Sequence, residues 1–446
     1  MARCKKNLQW PRTWAEWRIR VLSQPFTIGA LVLVILLVGC QRPEPGKPLG
    51  SSYEAVGRAE VWRVLANSQA ETLGLKPGDI VISYNDEPVR TSADLARAES
   101  LSQGAKARSP ITVVVLRDEQ ELTFQARPGP LGFIPVGAKF SGSLALALKD
   151  IAGHFNRLDY YDWLAALTGE SFTFCGQAGD CWSLGPGTKD GAYLEEIGKL
   201  IGLTFRPVFT NHTASPETAA QEPPVPGALP VIKERLAHGQ VLLVKGGWPG
   251  EKAHLWGVAL RADESSSAVY GRTVNAGQDV PLSGTVEAVY EVVPRPAPEL
   301  EPRAFLSMAL DHALELGLAY ADTGWKSGLD AYDLVLRYLD TVPFCWSHPE
   351  QSDACFRRLV WSLLASKESA NRFLEEMKEA LPDQAEMIEE IIGENRVIIG
   401  KLEGMAASRL QLGNLENQRK LGLTINEIQL LENELLGFYE ELLGEL

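Results

Sequence analysis

The sequence predicts a multidomain chain in which a β-rich unit, an α+β unit and an all-α region follow one another. Between residues 51 and 136, short apolar runs alternate with polar residues and are separated by Gly, Asn and Asp, as in small β domains. Between residues 137 and 295, helical spacings come first and strand-like runs follow, which is typical of α+β units. From residue 300 to 446, apolar residues recur every three or four positions, which indicates helices.

Composition excludes several classes of function. The chain has 446 residues and 45% hydrophobic content, enough for several packed cores and too much for a disordered chain. The formal net charge is −14, although the first 39 residues carry six basic side chains against one acidic one. The acidic body argues against a nucleic-acid partner, which needs Lys and Arg to replace counterions. We therefore predict no nucleic-acid binding, and no motif predicts a cofactor.

The N-terminus combines a basic stretch with the uncharged run Phe26–Gly39, which is shorter than the roughly 20 apolar residues of a spanning helix. The run ends in Leu37-Val38-Gly39-Cys40, which resembles the lipobox of bacterial lipoproteins. The resemblance implies that residues 1–39 are a signal peptide, that Cys40 carries the lipid and that residues 40–50 form a tether. An uncleaved single-span anchor is the alternative. Both interpretations place the remaining chain outside the cytoplasm on a bacterial membrane.

The β-rich unit, residues 51–136, contains strong turn signals. Ser68 can cap a short helix, Gly74 suits its left-handed end, and Asn85-Asp86 predicts a hairpin. The predicted strands and the second helix are Ala59–Leu65, Ile80–Tyr84, 92–101 (helix), Ile111–Leu116 and Glu121–Ala126.

The stretch Leu73-Gly-Leu-Lys-Pro-Gly-Asp79 and the order of these elements resemble the permuted PDZ module of bacterial envelope proteases. The resemblance implies a groove between a strand and the 92–101 helix that receives a peptide or protein C-terminus by strand addition. Leu131, Gly132 and Phe133 resemble the loop whose backbone amides take the terminal carboxylate, and Pro48-Leu49-Gly50 is a second candidate. The alternative is a structural PDZ domain that binds nothing.

The α+β unit, residues 137–295, begins with three predicted helices, continues through a surface loop over Arg206–Pro230 and ends in strands. The predicted helices and strands are Ser143–Phe155, Tyr160–Gly169, Ala192–Gly202, Val231–Ala237 (helices), Gln240–Lys245, His254–Leu260 and Ala268–Arg272 (strands).

The Tyr160–Phe172 helix and the His254-Leu-Trp-Gly-Val258 strand resemble the papain-like family that includes the butirosin-biosynthesis protein H N-terminal domain and bacteriocin-leader peptidases. The family uses a Cys nucleophile at the N-terminus of the first helix, where this chain has only Ser141 and Ser143. The resemblance implies His254 as the base.

The residue that would orient this base is Asn275, which follows the next strand, or Asp263. Cys175 is an alternative nucleophile, but we expect it in a Gly-rich loop and not at a helix start. Because a serine is far harder to ionise than a thiol, we predict a degenerate cleft that binds without catalysis. The function predicted from sequence is accordingly a lipid-anchored scaffold or binding protein. The alternative is a papain-like peptidase, amidase or acyltransferase with the PDZ unit as substrate selector.

Four cysteines remain after the lipobox, namely Cys175, Cys181, Cys345 and Cys355. Their even number fits disulfides in an oxidising compartment, and pairing within each local couple is the simplest of three connectivities. Zinc is the competing hypothesis, but the spacings match no familiar zinc motif, so no metal site is predicted.

The all-α region, residues 300–446, contains two long apolar stripes with acidic outer faces. We expect a helical hairpin packed within the chain, the alternative being a seam for a partner or a second copy. The predicted helices are 304–317, Gly324–Leu339, Cys355–Leu364, Ala370–Ala380, Pro382–Leu412 and Asn414–Leu446.

Overall fold

The structure is a computed structural model, and the residues described below all belong to one unit, Gly46–Leu446. The described residues are 46–53, 56–104, 109–140, 142–177, 180–186, 193–211, 227–249, 255–263, 265, 268–274, 278–296, 298–319, 325–340, 352–407, 412 and 414–446. The predicted signal peptide, residues 1–39, and Cys40 lie outside them.

The first region is rich in β-strands, as predicted. Its strands form an antiparallel four-stranded sheet in the order β3-β2-β4-β5 and an antiparallel pair, β1 with β6. The elements are β1 (Val61–Val64), α1 (Gln69–Leu73), β2 (Ile80–Tyr84), β3 (Glu87–Pro88), α2 (Ser92–Gly104), β4 (Ile111–Arg117), β5 (Gln120–Ala126) and β6 (Phe133–Pro135).

Local chemistry sets the ends of these elements. The Ser68 hydroxyl accepts a hydrogen bond from the Glu71 amide at the start of α1, and Gly74, with φ of 73°, ends that helix. Asn85 and Asp86 both have positive φ, as a tight two-residue hairpin turn requires. Helped by these short-range signals, the predicted strands and the 92–101 helix begin and end within three residues of the observed bounds.

An ion pair joins the turn that precedes β2 to the sheet of this region. Arg117 Nε lies 2.6 Å from Asp79 Oδ1, and Asp79 is 1% exposed. Burial alone would raise the pKa of Asp79, but the hydrogen bonds from Arg117 and from the Lys76 amide hold that pKa below its ordinary value. The turn before β2 is therefore held against the end of β4.

The middle region is mixed α/β. An antiparallel sheet in the order β13-β12-β11-β10-β14-β9 carries α4 against β11. The elements are α3 (Val136–Lys139), α4 (Ser143–His154), α5 (Tyr161–Leu167), β7 (Phe174–Gln177), β8 (Asp180–Pro186), α6 (Leu194–Ile201), β9 (Leu203–Thr210), α7 (Ala228–Ala237), β10 (Val241–Gly246), β11 (Trp256–Ala262), β12 (Val269–Thr273), β13 (Val280–Pro281) and β14 (Val286–Pro294).

Two predictions for the middle region are wrong. The loop expected over Arg206–Pro230 begins inside β9, which pairs with β14 along seven residue pairs. Pro207 is tolerated because β9 lies at the end of the strand order, where a missing amide donor disrupts no second ladder. The Gly-rich loop expected around Cys175 is instead the strand pair β7 and β8.

The C-terminal region is helical, as predicted, with one strand. β15 adds to β7 to give the sheet order β15-β7-β8, so the helix expected from Gly324 begins at Gly328. The two helices expected between Cys355 and Ala380 are one continuous helix. The elements are α8 (Pro302–Ala319), β15 (Trp325–Ser327), α9 (Gly328–Leu339), α10 (Ser352–Ala380), α11 (Ala385–Ala407) and α12 (Leu415–Glu445).

The two apolar stripes of this region are buried within the chain. Ile391 and Ile398 of α11 and Ile428 and Leu435 of α12 are all 0% exposed and share one core. That core also contains Leu65 from the β-rich region, so α10–α12 pack on the rest of the unit. Among the described residues, no helix has the length and hydropathy needed to cross a membrane, and none of their acidic, His and Cys side chains cluster as metal ligands.

Charged contacts connect the regions. Arg63 on β1 contacts Glu368 on α10 at 2.6 Å and Glu403 on α11 at 2.7 Å. Arg372 on α10 makes a two-pronged contact with Asp162 on α5, with both distances at 2.8 Å. The helical region is therefore bonded to the β-rich region and to the mixed α/β region.

Candidate functional site

The candidate site lies between α2 and the segment that leads into β6. We call it the α2–β6 seam and define it by Leu95, Ala98 and Glu99 on α2 and by Leu131–Phe133 on the other side. Within the described part of the chain, β6 pairs with β1 alone, so its second edge has no strand partner. An unpaired strand edge beside a helix is the arrangement to which an extended peptide adds as a further strand.

The seam is closed in this structure. Leu95 and Ala98 are 6% and 7% exposed, Leu131 is 0% exposed and Phe133 is 4% exposed. These side chains belong to the core of the β-rich region. A ligand would have to separate α2 from the 131–133 segment before it could lie along β6.

Side chains from two other elements hold the loop that enters the seam. The Gly129 amide donates to the Tyr84 hydroxyl at 3.0 Å and to Ser102 Oγ at 2.9 Å, while the Tyr84 hydroxyl donates to the Gly129 carbonyl at 2.7 Å. Gln69 Nε2 donates to the Pro130 carbonyl at 3.1 Å. The loop is therefore fixed from β2, α2 and α1 at once.

The Leu131 amide already binds a carboxylate of this chain. It donates to Glu99 Oε1 at 2.9 Å, and its carbonyl accepts from the Ala70 amide at 2.7 Å. Glu99 is 8% exposed. Burial raises the pKa of Glu99 to about 7, and the hydrogen bond from Leu131 and the positive charge of Arg357 on α10 only partly oppose this rise.

Gly132 needs to be glycine. Its φ is +84°, and a Cβ at this position would lie 2.5 Å from the Ser68 Cβ. Its carbonyl accepts from the Leu65 amide at 3.1 Å, which continues the β1–β6 ladder. The predicted carboxylate-binding residues Leu131, Gly132 and Phe133 are thus brought together in one tightly packed turn.

The second predicted loop, Pro48–Gly50, also binds an internal acid. The Gly50 amide donates to Asp150 Oδ2 at 2.5 Å, and the Ser52 amide donates to Asp150 Oδ1 at 2.9 Å. Because Asp150 is on α4, this segment is bonded to the mixed α/β region. A further bond to α4 comes from Lys47, whose amide donates to the Gly153 carbonyl at 3.0 Å. Residues 46–50, the described part of the predicted tether, are therefore bonded to α4.

The N-terminus of α4, where the papain-like resemblance implies a nucleophile, holds a third internal carboxylate. The Leu144 and Ala145 amides donate to Glu170 at 3.2 and 2.8 Å, and the Thr168 hydroxyl donates to Glu170 at 3.2 Å. Glu170 is 2% exposed, and burial raises its pKa to about 7 against the effect of these hydrogen bonds. The favourable end of the helix dipole is already occupied.

Ser143, one candidate nucleophile, is 8% exposed, and its Oγ accepts a hydrogen bond from the Trp256 amide at 3.2 Å. This bond joins the start of α4 to β11, which is a packing role. The other predicted catalytic residues, Ser141, His254 and Asn275, lie outside the described residues. Asp263, the alternative orienting residue, accepts from the Ser265 amide at 2.9 Å and from its hydroxyl at 2.7 Å.

The predicted disulfides remain predictions. Cys175 lies on β7 in register with Gly185 and with Ser327, and Cys355 is buried on α10. Cys345 and the Cys181 side chain lie outside what the structure describes.

A match to a known protein family was found in the β-rich region. The PDZ domain family matches residues 60–117. The chain contains a PDZ domain. The matched stretch runs from the residue before β1 to the end of β4, and the α2 side of the seam lies inside it. No curated protein was found to match the sequence.

Sequence reasoning missed Glu99 and Glu170, the two buried glutamates that bind backbone amides at the predicted sites. A signal for Glu99 was present, because Glu99 follows Leu95 by four positions and so lies on the buried face of α2. A carboxylate on an apolar helix face needs a partner, and that need points to the nearby amides. No pattern predicts Glu170, since its partners on α4 lie 25 and 26 residues earlier in the chain.

Proposed function

We propose that this chain is a lipid-anchored, extracytoplasmic binding protein whose PDZ domain takes a peptide or protein C-terminus along β6. The single observation that carries the proposal is the second edge of β6 beside α2, which has no strand partner among the described residues, in a region whose residues 60–117 match the PDZ family. Main-chain hydrogen bonds to that edge would supply affinity, and the apolar side chains of the seam would select the last residue of the ligand.

The chemistry of the loop supports a terminal carboxylate as the group recognised. The Leu131 amide holds a carboxylate in this structure, namely that of Glu99. A backbone amide bonded to an ionised acceptor makes a charge-assisted bond, which is roughly twice as strong as a neutral one. The loop is thus suited to carboxylates, and a C-terminal peptide is the ligand class that offers one next to an extended backbone.

We further propose that the mixed α/β region is a papain-like domain that does not catalyse. Its support is an antiparallel sheet with α4 packed against it, in a region that resembles that family in sequence. Glu170 fills the helix terminus at which the family activates its nucleophile. Above about pH 7, where Glu170 is ionised, its negative charge would raise the pKa of a neighbouring nucleophile, which is the opposite of activation. Below that pH, the neutral side chain still occupies the α4 amides.

The location rests on the sequence alone. The basic N-terminal stretch, the uncharged run Phe26–Gly39 and Cys40 support a signal peptide and a lipid anchor. Radioactive palmitate incorporation by the wild-type chain in a bacterial host, and its loss in Cys40→Ala, would establish the anchor. Incorporation that persists in Cys40→Ala would refute it.

The binding function is tested by retention of peptides on the immobilised full-length chain. The probe is a random decapeptide pool with free C-termini, compared with the same pool carrying C-terminal amides. We expect retention of the free-carboxylate pool at pH 5.5 and at least tenfold less retention of the amidated pool. Equal retention of both pools would contradict recognition of a C-terminus, and retention of neither would contradict the binding function.

A pair of variants locates the binding. Ala98 faces the seam and is 7% exposed, whereas Ala96 is on the exposed side of α2. Ala98→Leu adds volume where the ligand would enter, so we expect it to reduce peptide retention at least fivefold, while Ala96→Leu leaves retention unchanged. Thermal unfolding of both variants verifies that each is folded, and equal retention by both would place the ligand elsewhere.

A further inference from the structure

The starting observation is that the amide of Leu131 has a partner before any ligand arrives. Glu99 Oε1 lies 2.9 Å from it, and the Glu99 side chain is 8% exposed. The Leu131 carbonyl is also engaged, since it accepts from Ala70 at 2.7 Å. An incoming terminal carboxylate can reach the Leu131 amide only after the Glu99 carboxylate has left.

We propose that Glu99 is a built-in competitor that occupies the carboxylate position of the PDZ groove and must be displaced by the terminal carboxylate of a ligand. The inference rests on the function proposed above and adds the regulation of that site. Two carboxylates cannot share one buried amide, because like charges at hydrogen-bonding distance repel strongly where water is excluded. The ionised form of Glu99 therefore opposes the ligand, both by occupying the amide and by repulsion.

The groups that act on Glu99 allow this competition to depend on pH. From β2, the Tyr84 phenol is buried, bonded to Gly129 and Ser102, and its pKa is raised by burial, so it stays neutral from pH 5.5 to 8. From α10, the Arg357 guanidinium acts on Glu99 as a positive charge, because arginine side chains are always protonated in proteins. Glu99 is thus the group of this set whose charge changes between pH 5.5 and 8.

The sign of the effect follows from the charge. With a pKa of about 7, Glu99 is mostly neutral at pH 5.5 and mostly ionised at pH 8. A peptide C-terminus, with an ordinary pKa of about 3.5, is ionised at both values. Protonation of Glu99 removes the repulsion and weakens its bond to Leu131, so ligand binding tightens as the pH falls.

The expected size of the pH effect follows from the fraction of molecules in which Glu99 is neutral. If only molecules with neutral Glu99 admit the ligand, the apparent dissociation constant equals the intrinsic one divided by the fraction of neutral Glu99. It therefore rises as that fraction falls. About one molecule in ten carries neutral Glu99 at pH 8, so binding should be about tenfold weaker at pH 8 than at pH 5.5.

The test uses the full-length chain and a single fluorescent decapeptide, taken from the retained free-carboxylate pool described above. Its dissociation constant is measured by anisotropy at pH 5.5, 6.5, 7 and 8 for the wild type, for Glu99→Gln and for Glu121→Gln. Glu121 is an exposed acid on β5 and serves as the matched control. We expect the wild type and Glu121→Gln to weaken about tenfold between pH 5.5 and 8, and Glu99→Gln to bind equally at all four values.

Every outcome either supports or overturns the proposed role of Glu99. A pH-independent dissociation constant for the wild type, or a tenfold pH effect that persists in Glu99→Gln, overturns the role of Glu99 while peptide binding stands. If no peptide of either pool is retained by the wild type or by Glu99→Gln, at pH 5.5 or at pH 8, the proposed function fails and the inference fails with it. Should Glu99→Gln not fold, the wild-type pH profile alone still decides.

Discussion

Replacing Glu170 by Gln should remove a defined part of the pH dependence of stability. Burial raises the pKa of Glu170 to about 7 from an ordinary value of 4.5, so the folded state holds this proton more tightly than the unfolded state. The stabilisation is fully present below the unfolded-state pKa and is lost as the pH rises through about 7. For these two values, the loss between pH 5 and pH 8 is about 2 to 3 kcal/mol.

Gln has nearly the same shape as the neutral acid and does not ionise. Relative to the wild type, Glu170→Gln should therefore gain about 2 to 3 kcal/mol of unfolding free energy between pH 5 and pH 8. The assay is urea unfolding followed by far-ultraviolet circular dichroism at pH 5, 6, 7 and 8. Glu196→Gln, which removes an exposed acid on α6, is the matched control and should parallel the wild type.

The result that would refute this reasoning is a constant free-energy difference between Glu170→Gln and the wild type at all four pH values. It would mean that the Glu170 carboxylate is solvated or fully compensated. If the carboxylate is solvated, the helix terminus is open to an external anion, and Glu170 no longer opposes a catalytic role for α4.

Two further predictions concern the seam and the nucleophile. Gly132→Ala should lower the unfolding free energy by about 2 kcal/mol or more, because its φ is positive and its Cβ would clash. Gly74→Ala is the control, because Gly74 also has positive φ but has open space around an added Cβ, and it should cost only about 1 kcal/mol. Thermal unfolding compares the stability of the two variants, and equal losses would contradict the close packing around Gly132. A fluorophosphonate probe should not label Ser143, since its Oγ is buried and accepts from Trp256, and labelling that disappears in Ser143→Ala would revive the enzyme hypothesis.

The sequence predicts much of the fold where local chemistry decides it. The turns at Gly74 and Asn85-Asp86 and the cap at Ser68 depend on residues within four positions of one another. The helical stripe that includes Ile391 and Ile398 is likewise visible as a spacing and is buried as expected. Such features need no knowledge of the distant chain.

The failures are non-local. β9 carries Pro207 and was predicted to be a loop, because the pairing that makes it a strand comes from β14, some 80 residues later. β7 is a strand because β8 and β15 flank it, and β15 is about 150 residues away. Strand identity in these cases depends on packing against partners more than on intrinsic preference.

The candidate site was likewise predictable from the sequence only in part. The sequence locates Leu131–Phe133 by their resemblance to a PDZ loop, and the structure brings these residues beside α2. The sequence could not show that the chain places a carboxyl group of its own on these backbone amides, through Glu99, Asp150 and Glu170. Those contacts span 25 to 100 residues and exist only in the folded state.

Occupation of these amides by Glu99 and Glu170 can be measured by ¹³C NMR titration of their side-chain carboxyl carbons in the full-length chain. The two signals are assigned by their loss in Glu99→Gln and Glu170→Gln. We expect both groups to titrate near pH 7 and a free-carboxylate peptide to perturb Glu99 but not Glu170. Titration of both groups near their ordinary value of 4.5, with no response of Glu99 to the peptide, would contradict it.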